Sequence, residues 1–260
     1  MSTKVLRRSR RLRAGSPSTW GAVAQQEVGN GLTRQRIVAA GVAVADQHGL
    51  AAVSIRKVAS HLGSSAMALY HYIPSKRDLL NLMLDATYTE LQFPAETITH
   101  WRAALSHFAW ESRRCLKRHP WLSLLHADDP EYGPECIRTL ESLLATLSQF
   151  GLDVRTAIRV LGALFVFVNG FVASETAREA RSKRKGRTQT TGQPVFSKAV
   201  LASGKYPNVA RFVETGAELP DDEGFERSLN WMLDGIAASI DVVCAVPNNQ
   251  ARRRRASSEV

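Results

Sequence analysis

The chain has 260 residues, 44% of them hydrophobic, and a formal net charge of +10 from 34 Lys/Arg against 24 Asp/Glu. That length supports one large domain or two smaller ones with real cores, and the basic balance favours a polyanionic partner. Three cysteines without a CxxC pair, no apolar run behind the basic N-terminus and no long uninterrupted apolar stretch argue against a disulfide framework, a zinc site, a secretory leader and a membrane span, so the expectation is a cytoplasmic protein with no membrane partner, metal or cofactor.

Residues 1–31 are basic, rich in Gly and Ser and without periodicity, and read as a disordered tail; residues 246–260, with Arg252 to Arg255, read the same way. For the first tail, a solvated leader and auxiliary contact with DNA are equal readings. From Leu32 the pattern turns helical. Thr33 is placed to cap a helix with Ile37, Ala40, Val44 and Ala45 inward, ending at Gly49. Ser54 caps a second helix with Ile55, Val58, Ala59 and Leu62 inward and Gly63 as its stop. Ser64 or Ser65 caps a third over Ala66–Tyr72, broken by Pro74. Ser75 caps a fourth with Leu79, Leu80, Met83 and Leu84 at helical spacing, ended by Pro94.

Beyond Pro94 the pattern predicts helices over Thr97–His119, Trp121–His126, Pro134–Phe150, Asp153 to about Arg181, Val195–Ala202, Asn208–Thr215 and Asp222 to about Ala245. A turn at Asp128–Gly133 and a polar, basic loop at Ser182–Pro194 separate them. The reading is an all-α protein in two parts: a three-helix helix-turn-helix domain over 32–93 and a larger helical ligand-binding and dimerisation domain over 94–245.

Residues 54–76 carry the functional signal. Ala59 is small where two helices cross, Gly63 permits the turn between them, and Val58 and Leu69 hold the second helix on the first. That leaves Ser65, Ala66, Met67, Ala68, Tyr70 and His71 at the N-terminal end or outward side of a recognition helix, where side chains reach base edges in the major groove. Ser54, Arg56, Tyr70, Tyr72 and Lys76 are candidates for phosphate, and Arg56 for guanine as an alternative. Any one of these residues has a bland reading, Tyr70 as a half-buried aromatic or Arg56 as a solvated charge; their order in one short stretch does not.

Residues 32–80 resemble the N-terminal domain of the tetracycline-repressor (TetR) family of transcriptional regulators, on Ile37–Ala45, Gly49, Ser54–Gly63, Ala68–Tyr72 and Pro74–Leu80. The likeness continues more weakly to Val243 through Trp101, Arg113, Arg114, Thr139–Glu141, Gly151 and Phe225–Ile236. It implies a homodimer on a near-palindromic double-stranded operator, acting as a repressor released by a small effector. It also implies a dimer interface on the helices over about Asp153–Arg178 and Asp222–Cys244. Ile158, Leu161, Phe165, Val168 and Val172 form one apolar stripe there, and Leu229, Met232, Leu233, Ile236 and Ile240 another, each read as core or as interface.

The same resemblance sets His126 where the tetracycline repressor has its metal-chelating histidine, with a satisfied helix-end histidine as the alternative, and Phe108 where that protein has a polar amide. The lost amide argues against tetracycline itself. Trp101, Phe108, Trp110, Trp121, His126 and Phe165 are the candidate lining of a cavity for a flat, largely hydrophobic ligand, or else ordinary core. Two other functions stay open. An enzyme finds no nucleophile elbow, P-loop, HExxH or dinucleotide turn in its support. A non-specific nucleic-acid binder would rest on the basic tails.

Overall fold

The computed structural model describes residue 20 and residues 31–91, 100–127, 130–185, 198–214 and 222–245. Among these residues there are eleven α-helices and no strand. Hydroxyl caps start each helix of the head. Thr33 accepts the Arg36 N–H and opens α1 (Arg34–His48); Ser54 accepts the Lys57 N–H and opens α2 (Ile55–His61). Ser65 accepts the Ala68 N–H for α3 (Ala66–Tyr70), and Ser75 the Asp78 N–H for α4 (Lys76–Tyr88). Gly49 (φ +79°) and Gly63 (φ +64°) hold left-handed backbone where α1 stops and where α2 turns into α3. A single 3-10 turn, Leu50–Ala52, joins α1 to α2.

The head closes around Ile37, Val44, Val58, Ala59, Leu69, Ile73, Leu79 and Met83, all buried. A Cβ on Gly41 would overlap the Met83 thioether, so that glycine is what brings α4 close onto α1. Helix α3 ends at Tyr70 rather than Tyr72. Pro74 turns Ile73 away from helical backbone, and the Tyr72 and Ile73 N–H groups both fold back onto the Leu69 carbonyl. Helix α4 ends at Tyr88, where Thr89, Glu90 and Leu91 unwind through bonds to the third residue back; Pro94, its expected stop, lies outside the described residues.

The body consists of α5 (Trp101–Arg118), α6 (Leu122–Ala127), α7 (Pro134–Gln149), α8 (Val154–Lys185), α9 (Lys198–Ala202), α10 (Pro207–Glu214) and α11 (Asp222–Ala245). Helix α5 begins at Trp101 and not at the expected Thr97: His100 is in extended backbone and its ring caps the helix by accepting the Arg102 N–H. Helix α8 runs to Lys185 and absorbs the first residues of the expected loop, because Arg and Lys sustain a helix well. The rest of that loop, the tail 246–260 and all of 1–30 except Trp20 are outside the described residues. Trp20 itself packs beside Gly133.

Helix α5 runs through the middle of the body against α7 and α8. At its centre the buried Arg113 donates to both Glu175 oxygens of α8, at 3.0 and 2.6 Å, and to Asp222 Oδ1 of α11 at 2.6 Å. Its guanidinium also lies over the rings of Trp110 and Phe225. Of the apolar stripes, Leu161, Val168, Val172, Leu229 and Leu233 are core, whereas Ile158 is exposed.

Head and body meet along α4, which packs on α1 on one side and on α6 and α7 on the other. Gly133, at the start of α7, has no side chain to cap that helix. Asp85 of α4 does so from across the seam, accepting the Glu135 and Cys136 N–H groups at 3.0 Å each, while Asn81 accepts the Glu131 N–H at 3.3 Å. A Cβ on Gly133 would overlap Asp85. Burial pushes the Asp85 carboxyl above the usual carboxylate range even though two N–H groups favour its charge. Its contribution to stability is therefore greatest below the unfolded value and declines as pH rises through the raised folded value. Asp85→Ala, which strands two N–H groups, is expected to cost about 1–3 kcal/mol. Asp85→Asn, which keeps an acceptor and sheds the buried charge, is expected to cost far less at pH 7; urea unfolding of both variants measures the difference.

Candidate DNA-binding surface and ligand cavity

Helix α3 lies across the head with buried Leu69 as its anchor, and its other face is open. Met67 is 72% exposed and Tyr70 48%. Ser65 and His71 are also exposed, and Ala66 and Ala68 are half-buried between them. Ser54, Arg56 and Lys76 are exposed at the starts of α2 and α4, and Tyr72 is half-buried with its carbonyl held by Arg34 at 3.2 and 3.3 Å. The Ser54 and Ser65 oxygens accept a helix N–H each, which leaves their O–H protons free to donate outward. All ten residues singled out in the sequence are thus exposed or half-buried, and they offer methyl, thioether, phenol and imidazole groups together with two cations.

The second feature is a cavity where α4, α5, α6 and α8 meet. It is lined by Thr87, Tyr88, Leu91, Phe108, Ser112, Cys115, Leu116, Leu122, His126 and Phe165, almost wholly through apolar atoms, with about 370 Å³ of open space counted out to its mouth. The structure brings Phe108, His126 and Phe165 together there, with the His126 ring edge-on to Phe165 at 4.8 Å. Three other expected residues lie elsewhere. Trp101 lies beside His100 at the start of α5, two turns before Phe108, and Trp110 sits edge-on to Phe225 of α11 beneath Arg113, on the side of α5 away from Phe108. Trp121 is buried at the head–body seam, its indole N–H donating to Asp46 Oδ1 at 2.6 Å.

Sequence reasoning missed Tyr88, though its place four residues after Leu84 puts it on the apolar side of α4. Its hydroxyl lies 3.2 Å from His126 Nε2, and His126 Nδ1 lies 2.9 Å from the Leu122 carbonyl. That carbonyl takes a proton from Nδ1, so Nε2 is the acceptor and the Tyr88 O–H the donor. Burial lowers the His126 pKa, partly countered by the Leu122 carbonyl, so the ring is held neutral. Burial also pushes the Tyr88 phenol up, the Cys115 thiol to about 12 and the Cys136 thiol to about 11. Neither thiol is a nucleophile under those conditions.

An all-α chain with an open recognition helix on one part and an apolar cavity in the other is a helix-turn-helix regulator by architecture. The profile of "Bacterial regulatory proteins, tetR family" matches residues 37–83, and that of "Tetracyclin repressor-like, C-terminal domain" matches residues 93–240. The HTH-type transcriptional repressor DrrR1 of Streptomyces coeruleorubidus is 34% identical over 209 residues, covering 79% of this chain and 77% of that protein. The tetracycline repressor protein class C of Escherichia coli is 24% identical, covering 80% of this chain and 91% of its own. ActR of Streptomyces coelicolor in complex with actinorhodin shares the fold, with a TM-score of 0.64, 24% identity and coverage of 81% and 99% of the two chains. The chain belongs to the TetR family, a family of transcriptional regulators rather than of enzymes.

A neutral buried His126 has a signed consequence. Its folded pKa lies below the unfolded value, so it contributes no penalty above the ordinary imidazole range and costs stability as pH falls through that range. His126→Gln is expected to reduce the loss of thermal stability between pH 7 and pH 5, an interval set by the ordinary imidazole value of about 6.5. Equal pH dependence of Tm in variant and wild type would contradict the assignment.

Proposed function

We propose that this TetR-family regulator binds a near-palindromic operator as a homodimer and leaves it when a small, largely apolar ligand enters the cavity beside Tyr88 and His126. The open face of α3 carries the reading: a buried Leu69 fixes the helix while Met67 and Tyr70 stand free to enter a groove. In this reading Ser65, Ala66, Met67, Ala68, Tyr70 and His71 meet base edges, and apolar groups among them favour thymine methyls. Ser54, Arg56, Tyr72 and Lys76 hold the backbone. A head over residues 32–93 and a body over 94–245 divide these tasks. Family membership and the similarity to a transcriptional repressor support this reading over a tail-driven, non-specific binder.

Pairing is supported by the outer faces of α8 and α11. On α8, Ile158, Gly162, Val166 and Gly170 recur every four residues, all exposed, and a Cβ on either glycine would meet nothing. Val166 is 71% exposed and Trp231 of α11 is 67% exposed, with Gly235 one turn on. By length and composition α8 is apolar enough to cross a membrane. Its inner side, however, is built into the body through Leu161, Leu164, Val168 and Glu175, so the apolar outer side suits a second copy of the same helix pair.

Ligand release is supported by how tight the cavity is. Tyr88 and His126 both line it and are joined at 3.2 Å, so a guest larger than the space between them has to part α4 from α6.

Protection of an inverted repeat at nanomolar protein is the expected footprint. Lys76→Ala is expected to weaken all duplexes alike and to reduce the slope of log affinity against log salt by about 1; a preference for no sequence over random duplex overturns the operator reading. Val166→Asp combined with Trp231→Ala is expected to give monomers in sedimentation with the helical circular dichroism unchanged, and a dimer that survives both changes rules this interface out.

A further inference from the structure

The seam between head and body holds a second polar cluster apart from the cavity and the recognition helix. His119, in the break between α5 and α6, is buried, and its backbone N–H is fixed by the Cys115 carbonyl at 2.8 Å. Its Nδ1 lies 2.7 Å from Asp46 Oδ1, near the end of α1. Its Nε2 lies 3.1 and 3.3 Å from the two oxygens of Glu90, just beyond α4. The Trp121 indole donates to the same Asp46 oxygen, and its ring lies 5.7 Å from that of His119. Around this core, Arg118 of α5 pairs with Glu90 from the outer side, Glu111 lies further back on α5, and the Cys115 thiol stays protonated.

Both nitrogens of one ring therefore face carboxylate oxygens. A neutral imidazole has one N–H and one lone pair, and in this socket the lone pair would point at a carboxylate. The imidazolium alone donates in both directions, and charge-assisted bonds of this kind are the strong ones. The two acceptors belong to the far ends of α1 and α4, the two helices that carry α2 and α3, while the donor ring belongs to the body.

We infer that His119 is a positioning residue for DNA binding: as a protonated bridge between Asp46 and Glu90 it fixes the head on the body, and so makes operator affinity depend on pH. This deepens the operator reading and rests on it. A head held at a set angle loses less freedom when a dimer docks on two half-sites, so the bridged form binds more tightly. The bridge needs the protonated ring, since only that form donates to both carboxylates, and it is lost when the proton leaves.

The test compares wild type, His119→Gln and Glu90→Gln in operator binding by fluorescence anisotropy at constant ionic strength from pH 5.5 to 8.5. The other histidines are common to all three proteins, so their contributions cancel in the comparison. A glutamine amide at position 90 carries no charge, so that variant loses the charge-assisted bond to the imidazolium while filling the same space. Wild type is expected to bind about fivefold more tightly than either variant at the acid end, the modest gain of pre-organisation, and to converge with both at the alkaline end.

In parallel, the Trp121 indole N–H resonance, assigned through Trp121→Phe, is expected to titrate in wild type and to stay still in His119→Gln. Parallel affinity profiles, or an indole shift that persists in His119→Gln, overturn the inference. Specific binding absent from all three proteins counts against the operator reading instead, and the indole titration still decides whether the bridge exists. Should His119→Gln fail to fold by circular dichroism, Glu90→Gln, altered at a partly exposed carboxylate, decides with the same two readouts.

Discussion

Helix α4 belongs to two cores at once, and the rest of the molecule is arranged around that fact. Leu79, Met83 and Leu84 complete the hydrophobic interior of the head, with Gly41 cut away so that α1 can lie against them. From the same helix Asn81 and Asp85 reach out to satisfy backbone N–H groups of the Glu131–Cys136 stretch, which has no caps of its own. A helix start deprived of its partner leaves buried donors unpaired, so α7 and α4 resist separation by more than apolar contact. Moving the head without moving α7 means breaking those bonds.

The two sides of the seam differ in kind, and that difference gives the body a way to act on the head. Toward α7 and the α5–α6 corner the contacts are directional: Asp85 on a helix start, and Asp46 on Trp121 and His119. Toward α6 and α8 the contact is an apolar cleft closed by the hydrogen bond between Tyr88 and His126. Apolar walls give way to a guest that buries more surface than they lose, whereas directional bonds hold until broken. Deeper in the body, Arg113 ties α5, α8 and α11 through Glu175 and Asp222, which supplies a frame for α4 to move against. Removing one member of such a buried pair costs far more than the pair adds, so that frame is expected to be the least tolerant part of the body.

What was legible in the sequence was local. Thr33, Ser54, Ser65 and Ser75 cap their helices because capping joins groups three residues apart, and Gly49 and Gly63 turn the chain because only a missing Cβ makes left-handed backbone easy. The outward positions of α3 followed from the 3.6-residue period around Leu69. What was not legible was long-range. Asp85 reads as one polar position in an apolar run, and nothing in its neighbourhood announces a partner fifty residues on. Trp121 reads as cavity lining because aromatics suit cavities, yet its N–H meets a carboxylate from α1. Trp101 and Trp110 suit a cavity by residue type, yet Trp110 falls on the side of α5 opposite Phe108 and Trp101 lies two turns nearer the helix start. Pro74 signalled that α3 would break, but not that Leu69 would collect both of the freed N–H groups.

Native-state hydrogen exchange tests the shared helix most directly, because it measures which segments open together. If α4 is common property of head and body, the amides of α4 and those of Glu135 and Cys136 at the start of α7 exchange with one opening free energy, and Asp85→Ala lowers both by the same amount. Amides of α4 that exchange with α1 to α3 while Glu135 and Cys136 stay protected would contradict the account.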